Sequence, residues 1–217
     1  MARVTVVLIE DHVLVRQAFR RVLEDNDRIG VVGEGRTGLE AVELARKHHP
    51  DVMLLDMAMP ELNGIEAAEQ IRRVDPHIKL LIVSMYSDES YVRQAVRAGV
   101  KGYVLKDAME IDLAQAVLTV ADGGTYLSPG VSAVLMDVVQ NRNEPAPNDP
   151  YQRLTQRERQ ILQMVAEGRS NKEIAQLLNI SPKTVATHRS NLMDTLKIRG
   201  AAQLALYAAK KGLVKSE

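Results

Sequence analysis

Glu10 and Asp11 stand directly behind a β-branched apolar run, Val4–Ile9, and Asp56 closes another apolar run, Asp51–Asp56. Two further polar side chains hold matching positions: Ser84 ends the run Lys79–Ser84, and Lys106 follows Gly102–Leu105. If these runs are strands of one parallel sheet, all five residues lie at its carboxyl edge, where ligands bind beside the switch in strand order. Three carboxylates gathered there repel one another unless a cation intervenes, and donors that are all oxygen suit a hard ion such as Mg²⁺. A hydroxyl and an ammonium facing that site are the partners a phosphoryl group needs: one donates a hydrogen bond, the other offsets anionic charge. Asp56, beside the loop Met57–Gly64, is the carboxylate best placed to carry that group. Taken singly, an acidic pair is a solvated loop, a strand-end Ser is a helix cap and the Lys is surface. Five such residues at strand carboxyl ends favour the chemical reading.

The elements that must position them follow from periodicity. Apolar runs at 4–9, 29–33, 51–56, 79–84 and 102–105 are read as strands. Between them, helical spacing appears over His12–Asn26 (Val15, Phe19, Val22, Leu23), Thr37–His48 (Leu39, Val42, Leu44), Gly64–Val74 and Ser90–Ala98. A last helix starts at Asp107 or a neighbour and carries Leu113, Val117 and Val120. Alternating strands and helices of these lengths imply βαβ units and a parallel sheet covered on both faces. The strands are continuous apolar runs, as strands buried on both faces are.

A short amphipathic helix, Val131–Val139, precedes the stretch 141–152 (NRNEPAPNDPYQ), which holds three prolines and three asparagines and reads as a linker. Beyond it the pattern is helical. Thr155-x-x-Glu158 and Ser170-x-x-Glu173 are capping boxes, Gly168 sits at a C-terminal cap position, and Ser181-Pro182 is an N-cap with proline at the first helical position. Asn171–Leu178 and Pro182–Leu196 are joined by the tight turn Asn179-Ile180-Ser181, and Ala201–Lys211 closes the chain before Gly212. The expected organisation is residues 1–122, a doubly wound α/β domain with a five-stranded parallel sheet; 123–152, a connecting helix and linker; and 153–217, a small all-α domain of four helices.

The 217 residues are 46% hydrophobic and 26% charged, with zero net charge and no Cys. This is a soluble profile, and it excludes disulfides, thiolate nucleophiles and Cys-ligated zinc. No stretch reaches membrane-spanning length, and the N-terminal apolar run is too short for a secretory signal, so a cytoplasmic location and no membrane partner are expected. The neutral total conceals an asymmetry. Residues 1–120 hold 15 Lys and Arg against 19 Asp and Glu, whereas residues 151–217 hold 12 against 5. A basic C-terminal third behind an acidic front suggests a polyanion-binding module.

Glu10-Asp11, Asp56 with Met59-Pro60 and Asn63-Gly64, Ser84, and Gly102-Tyr103 before Lys106 resemble the receiver domain of two-component response regulators, over roughly residues 3–122. The resemblance implies a flavodoxin-like fold in which Asp56 accepts a phosphoryl group from a sensor histidine kinase. It implies that Asp11, Asp56 and the backbone carbonyl of Ala58 bind Mg²⁺, with Glu10 acting mainly through water, and that Lys106 and Ser84 contact the phosphoryl group. Tyr103 is then the switch aromatic, swinging inward as Ser84 moves toward the phosphate.

In the C-terminal third, two helices at a tight turn form a helix-turn-helix candidate, and Lys183, Thr184, Thr187, His188, Arg189 and Asn191 load the second with donors. Leu154-Thr155-x-Arg157-Glu158, Gly168-x-Ser170-Asn171-Lys172-Glu173-Ile174-Ala175 and Ser181-x-x-Thr184-Val185-x-x-His188 resemble the LuxR-type DNA-binding domain, and the two parts together are similar to the NarL/FixJ class. The resemblance implies that Lys183, Thr184, Thr187, His188, Arg189 and Ser190 lie near promoter DNA, with Thr184 and His188 toward the backbone and Thr187 and Ser190 toward bases. Ala186 and Thr195 depart from it, each standing where many members have Lys. The expected partners are a sensor histidine kinase, double-stranded DNA, a second copy of the chain when phosphorylated, and RNA polymerase. The alternatives are a phosphoaspartyl hydrolase of the haloacid-dehalogenase type, which wants an acid where Ala58 stands, and a regulator that binds without being phosphorylated.

Overall fold

The computed structural model describes residues 3–106, 113–140 and 149–214. The expected helix start at Asp107 and most of the expected linker, 141–148, lie outside them. The chain forms two compact units that divide near residue 142.

The first unit alternates β1 (Val4–Ile9), α1 (Val13–Glu24), β2 (Ile29–Gly35), α2 (Gly38–His48), β3 (Val52–Asp56), α3 (Gly64–Val74), β4 (Lys79–Ser84), α4 (Glu89–Arg97), β5 (Gly102–Leu105) and α5 (Leu113–Ala121), followed by β6 (Tyr126–Leu127) and α6 (Pro129–Gln140). The strands are parallel in the order β2-β1-β3-β4-β5-β6. The sheet is therefore six-stranded rather than five-stranded. β6 has only two residues, too few for any periodicity, and forms because β5 offers it an open edge at Gly102 and Tyr103. Val6, Leu8, Val52, Leu54, Leu81, Val83 and Val104 share one core with Phe19 and Leu23 of α1 and Val117 and Val120 of α5. The alternate residues Val7, Ile9, Met53, Leu55 and Ile82 are equally buried, so both faces are covered.

Helix faces differ in detail from the expected stripes. On α1 the buried residues are Arg16, Phe19 and Leu23, and Val22 is 46% exposed. On α2 the small residues Ala41 and Ala45 lie inward with Val42, and Leu39 and Leu44 are only partly covered.

In the second unit a short 3₁₀ turn, Pro150–Arg153, leads into α7 (Gln156–Ala166), α8 (Asn171–Leu177), α9 (Pro182–Leu196) and α10 (Ala201–Lys210). Residues 149–152, expected in the linker, are packed here: Tyr151 is buried, and Asp149 accepts a 2.6 Å bond from Lys211 Nζ. Both capping boxes form. Ser170 Oγ accepts from the Glu173 N–H, and the Glu173 carboxylate accepts from the Ser170 N–H at 2.8 Å and its hydroxyl at 2.6 Å. The Ser170 hydroxyl thereby holds the Glu173 carboxyl below its ordinary range. Its contribution is present above the unfolded-state pKa and is lost as pH falls through the folded one. Ser170→Ala is expected to lower stability at neutral pH by about 0.5–2 kcal/mol, with the difference shrinking in acid. Denaturant unfolding at two pH values checks both the size and the sign.

Candidate functional site

Strand register sets the level of each residue at the carboxyl edge. Ile9 pairs with Leu55, Asp56 with Val83, and Ser84 with Leu105. Glu10 therefore stands level with Asp56, and Lys106 follows Leu105 directly. Glu10 and Asp56 are 0% and 3% exposed. Lys106 Nζ reaches both, lying 2.7 Å from Glu10 Oε2 and 2.9 Å from Asp56 Oδ1. Burial pushes the Glu10 carboxyl above its ordinary range and Asp56 adds to the shift, while Lys106 opposes it. Burial alone would lower the Lys106 ammonium, but Asp56 and Glu10 more than offset this and its pKa is raised. The two shifts differ in meaning because the lysine faces two anions, whereas Glu10 faces one anion and one cation.

The groups whose donor atoms lie within 4.8 Å of one another, among the described residues, are Glu10, Asp11 and His12. His12 thus joins the acidic pair, and Asp56 connects to Glu10 through Lys106. The His12 ring lies 3.4 Å from Asp11 Oδ1. Crowded, largely buried carboxylate oxygens fit a hard divalent cation, which would relieve the repulsion felt by Glu10.

The loop beyond Asp56 is set by backbone bonds. The Met57 N–H donates to Val83 O at 3.1 Å and the Gly64 N–H to Met57 O at 2.9 Å. Asn63 then caps α3 by accepting from the Glu66 N–H. Ala58, whose carbonyl is an expected metal ligand, is buried in this loop.

Ser84 and Tyr103 are also buried. Ser84 Oγ accepts from the Tyr86 N–H at 2.9 Å, and the Tyr103 hydroxyl donates to Tyr86 O at 2.7 Å. Tyr103 already occupies the inward position that was expected to follow from a swing. Burial raises its phenol pKa well above the ordinary range, against a lowering contribution from Ser84.

In the second unit, α9 packs through Val185, Leu192 and Leu196. Lys183, Thr184, Ala186, Thr187 and Ser190 are exposed, and His188 and Arg189 are half-buried. Three of the expected DNA-facing side chains also have local partners. Thr184 Oγ1 lies 2.8 Å from the Ser181 N-cap hydroxyl, Thr187 Oγ1 donates to Lys183 O, and Arg189 donates to Asn171 Oδ1 at 2.6 Å, bracing α9 against the start of α8.

Residues 6–118 match the response regulator receiver domain, and residues 152–208 match the bacterial regulatory proteins of the luxR family. The chain is 38% identical over 213 residues to the oxygen regulatory protein NreC of Staphylococcus carnosus, covering 96% of this chain and 98% of that one. It is 35% identical to the transcriptional regulatory protein DegU of Brevibacillus brevis, covering 98% and 96%. The chain belongs to the LuxR-type response regulators. A solved two-component response regulator of the LuxR family from Aurantimonas sp. superimposes with a TM-score of 0.60 at 31% identity, covering 66% of this chain and all of that one.

As a response regulator of this type the protein is a transcription factor rather than an enzyme, with a receiver and a LuxR-type DNA-binding domain. No helix among the described residues is long and apolar enough to cross a membrane. In this regulator one buried cation beside the acidic edge escapes the motif-based reading. Arg16 Nη1 donates to the Glu10 carbonyl at 2.6 Å, and its Nε lies 3.3 Å from Glu34 Oε2. The available signal was a charged residue on the same helical stripe as Phe19 and Leu23. His12 also goes unflagged, because a histidine just after an acidic pair reads as a helix start.

Proposed function

We propose that this regulator is switched by phosphorylation of Asp56 by a sensor histidine kinase, and that the switch controls dimerisation and sequence-specific binding to promoter DNA. The observation that carries the reading is the Lys106 ammonium bridging Glu10 and Asp56 at the carboxyl edge of a parallel sheet. That cation, with Ser84 as hydroxyl donor, suits a phosphoryl group esterified to Asp56. In the transfer, one Asp56 oxygen attacks the phosphorus of a phosphohistidine. A P–O bond replaces the P–N bond, and the imidazole leaves with the electron pair.

Asp11, Asp56 and the Ala58 carbonyl are the proposed Mg²⁺ ligands, with Glu10 acting through water. When bound, the ion supplies charge neutralisation for the phosphoryl oxygens. Lys106 compensates the remaining charge, and Ser84 donates to one oxygen. Because the phosphoryl group carries roughly one and a half to two negative charges on its oxygens in place of the single charge of the carboxylate, Ser84 and Lys106 are drawn toward it, and the face around α4 and β5, including Tyr103, responds.

The proposed organisation is a receiver over 1–122, a connecting segment over 123–152 and a DNA-binding domain over 153–217, working in the cytoplasm as a homodimer when phosphorylated, with RNA polymerase as a further partner. On α9, Lys183, Thr184, Thr187, His188, Arg189 and Ser190 are the proposed DNA-facing residues, and their placement on or beside the exposed side of the helix supports this. Arg189, braced on Asn171, is suited to holding the recognition helix in position.

Acetyl phosphate in Mg²⁺ is expected to label the wild-type chain. Asp56→Asn is expected to abolish the labelling, and labelling that persists undiminished would refute Asp56 as the acceptor.

A further inference from the structure

Met57 follows the proposed phosphoacceptor directly, and its side chain is 2% exposed. A buried, unbranched thioether is usually a gap-filler, but here the sulfur touches two hydroxyls. Ser84 Oγ donates to Met57 Sδ at 3.7 Å, and the Tyr103 hydroxyl lies 3.5 Å from the same sulfur. The rest of the circuit is closed by Tyr86, whose N–H is accepted by Ser84 and whose carbonyl accepts from Tyr103.

Proton counting decides what the sulfur does. The Tyr103 hydroxyl has one proton and gives it to the Tyr86 carbonyl at 2.7 Å, the better acceptor at the shorter distance. Ser84 also has one proton, its acceptor side already holds the Tyr86 N–H, and the Met57 sulfur lies within reach of its donor side at 3.7 Å, next to the Tyr103 oxygen. A serine hydroxyl cannot donate to the sulfur and to a phosphoryl oxygen at once.

We infer that Met57 is a positioning residue for the phosphoryl group: its sulfur is the acceptor that the Ser84 hydroxyl must leave in order to donate to a group on Asp56, and its contact with Tyr103 ties that departure to the buried aromatic. The inference rests on the phosphoacceptor reading of Asp56. The sulfur acts as a weak brake on the switch. It is a poor acceptor, so Ser84 can leave it for a charged oxygen, yet it competes with the ligand for a single proton.

The test uses the full chain, with beryllofluoride and Mg²⁺ as the phosphoryl mimic. Met57→Leu keeps the volume and removes the acceptor, a swap that cores tolerate well. It is expected to tighten beryllofluoride binding about threefold to tenfold, the range of one weak hydrogen bond. In a Ser84→Ala background the same substitution is expected to change binding less than about twofold, since no hydroxyl remains to be released. An equal gain in both backgrounds would mean that Met57 acts through packing, and no gain in either would mean that it does not compete; each overturns the inference. A second readout needs no mimic. In chain labelled at the methionine methyls, the Met57 resonance, assigned by its loss in Met57→Leu, is expected to shift on Ser84→Ala, and an unmoved resonance overturns the contact. If the wild-type chain binds no beryllofluoride, the phosphoacceptor reading fails, and the methyl resonance decides the Met57–Ser84 contact by itself.

Discussion

Lys106→Met is expected to destabilise the receiver by about 3–5 kcal/mol at neutral pH, the size seen when one partner of a buried ion pair is removed. The ammonium lies within 3 Å of both Glu10 and Asp56, and those carboxylates are 0% and 3% exposed. Without it, two desolvated anions face each other. The pH dependence has a definite sign. The Glu10 pKa is raised in the folded state even with the lysine present, so Glu10 favours folding below its unfolded pKa and this contribution is lost as pH rises through the folded value. Removing Lys106 raises that pKa further, and the deficit of the variant should narrow as the pH is lowered and Glu10 takes up a proton. The Lys106 pKa is itself raised, so its stabilisation in the wild-type chain is fully present below its unfolded pKa and is lost only in strong alkali. The narrowing in acid therefore belongs to the carboxylates. Added Mg²⁺, a replacement cation, is expected to recover part of the loss. Denaturant unfolding of both chains near neutrality and in mild acid measures the effect, and a small, pH-independent deficit would contradict the buried bridge.

Gly64→Ala is expected to damage the acidic edge although it lies at the start of a helix. Helix propensity alone predicts a gain of up to about 1 kcal/mol from this change. Packing predicts the reverse. A Cβ on Gly64 would lie 2.3 Å from the Asp56 carbonyl oxygen and 3.1 Å from Met57 Cα, and these are backbone atoms that no side-chain rotation can clear. The β3–α3 connection must shift, and that shift moves Asp56 together with the Ala58 carbonyl. The steric effect should prevail, with a net loss of about 1–3 kcal/mol by analogy with overpacked cores and slower labelling by acetyl phosphate. A variant that labels at the wild-type rate with unchanged or higher stability would show that the loop yields more easily than the geometry implies.

Much of this molecule is legible in its residues because the signals are local. Continuous apolar runs mark buried parallel strands. The Ser/Thr-x-x-Glu boxes mark the starts of α7 and α8, where reciprocal bonds form within four residues. The charged and hydroxyl residues of the acidic edge could be nominated because each directly ends or follows an apolar run. What escaped depends on partners distant in the chain. β6 exists only because β5 leaves an edge open, and the stripe that turns Arg16 inward and Val22 outward is set by what α1 packs against.

Residue types and spacing by themselves determined the alternating α/β receiver, the helical DNA-binding part and which five polar side chains gather at the strand ends, because hydrophobic period and capping chemistry act over a few residues. Only the tertiary structure decided which of those side chains touch. Parallel register sets Glu10 level with Asp56, burial strips both of water, and the cation that reaches within 3 Å of both is Lys106, 96 residues from Glu10. The Met57 sulfur between Ser84 and Tyr103 is of the same kind, for a contact across three strands leaves no trace in the local pattern of any one of them.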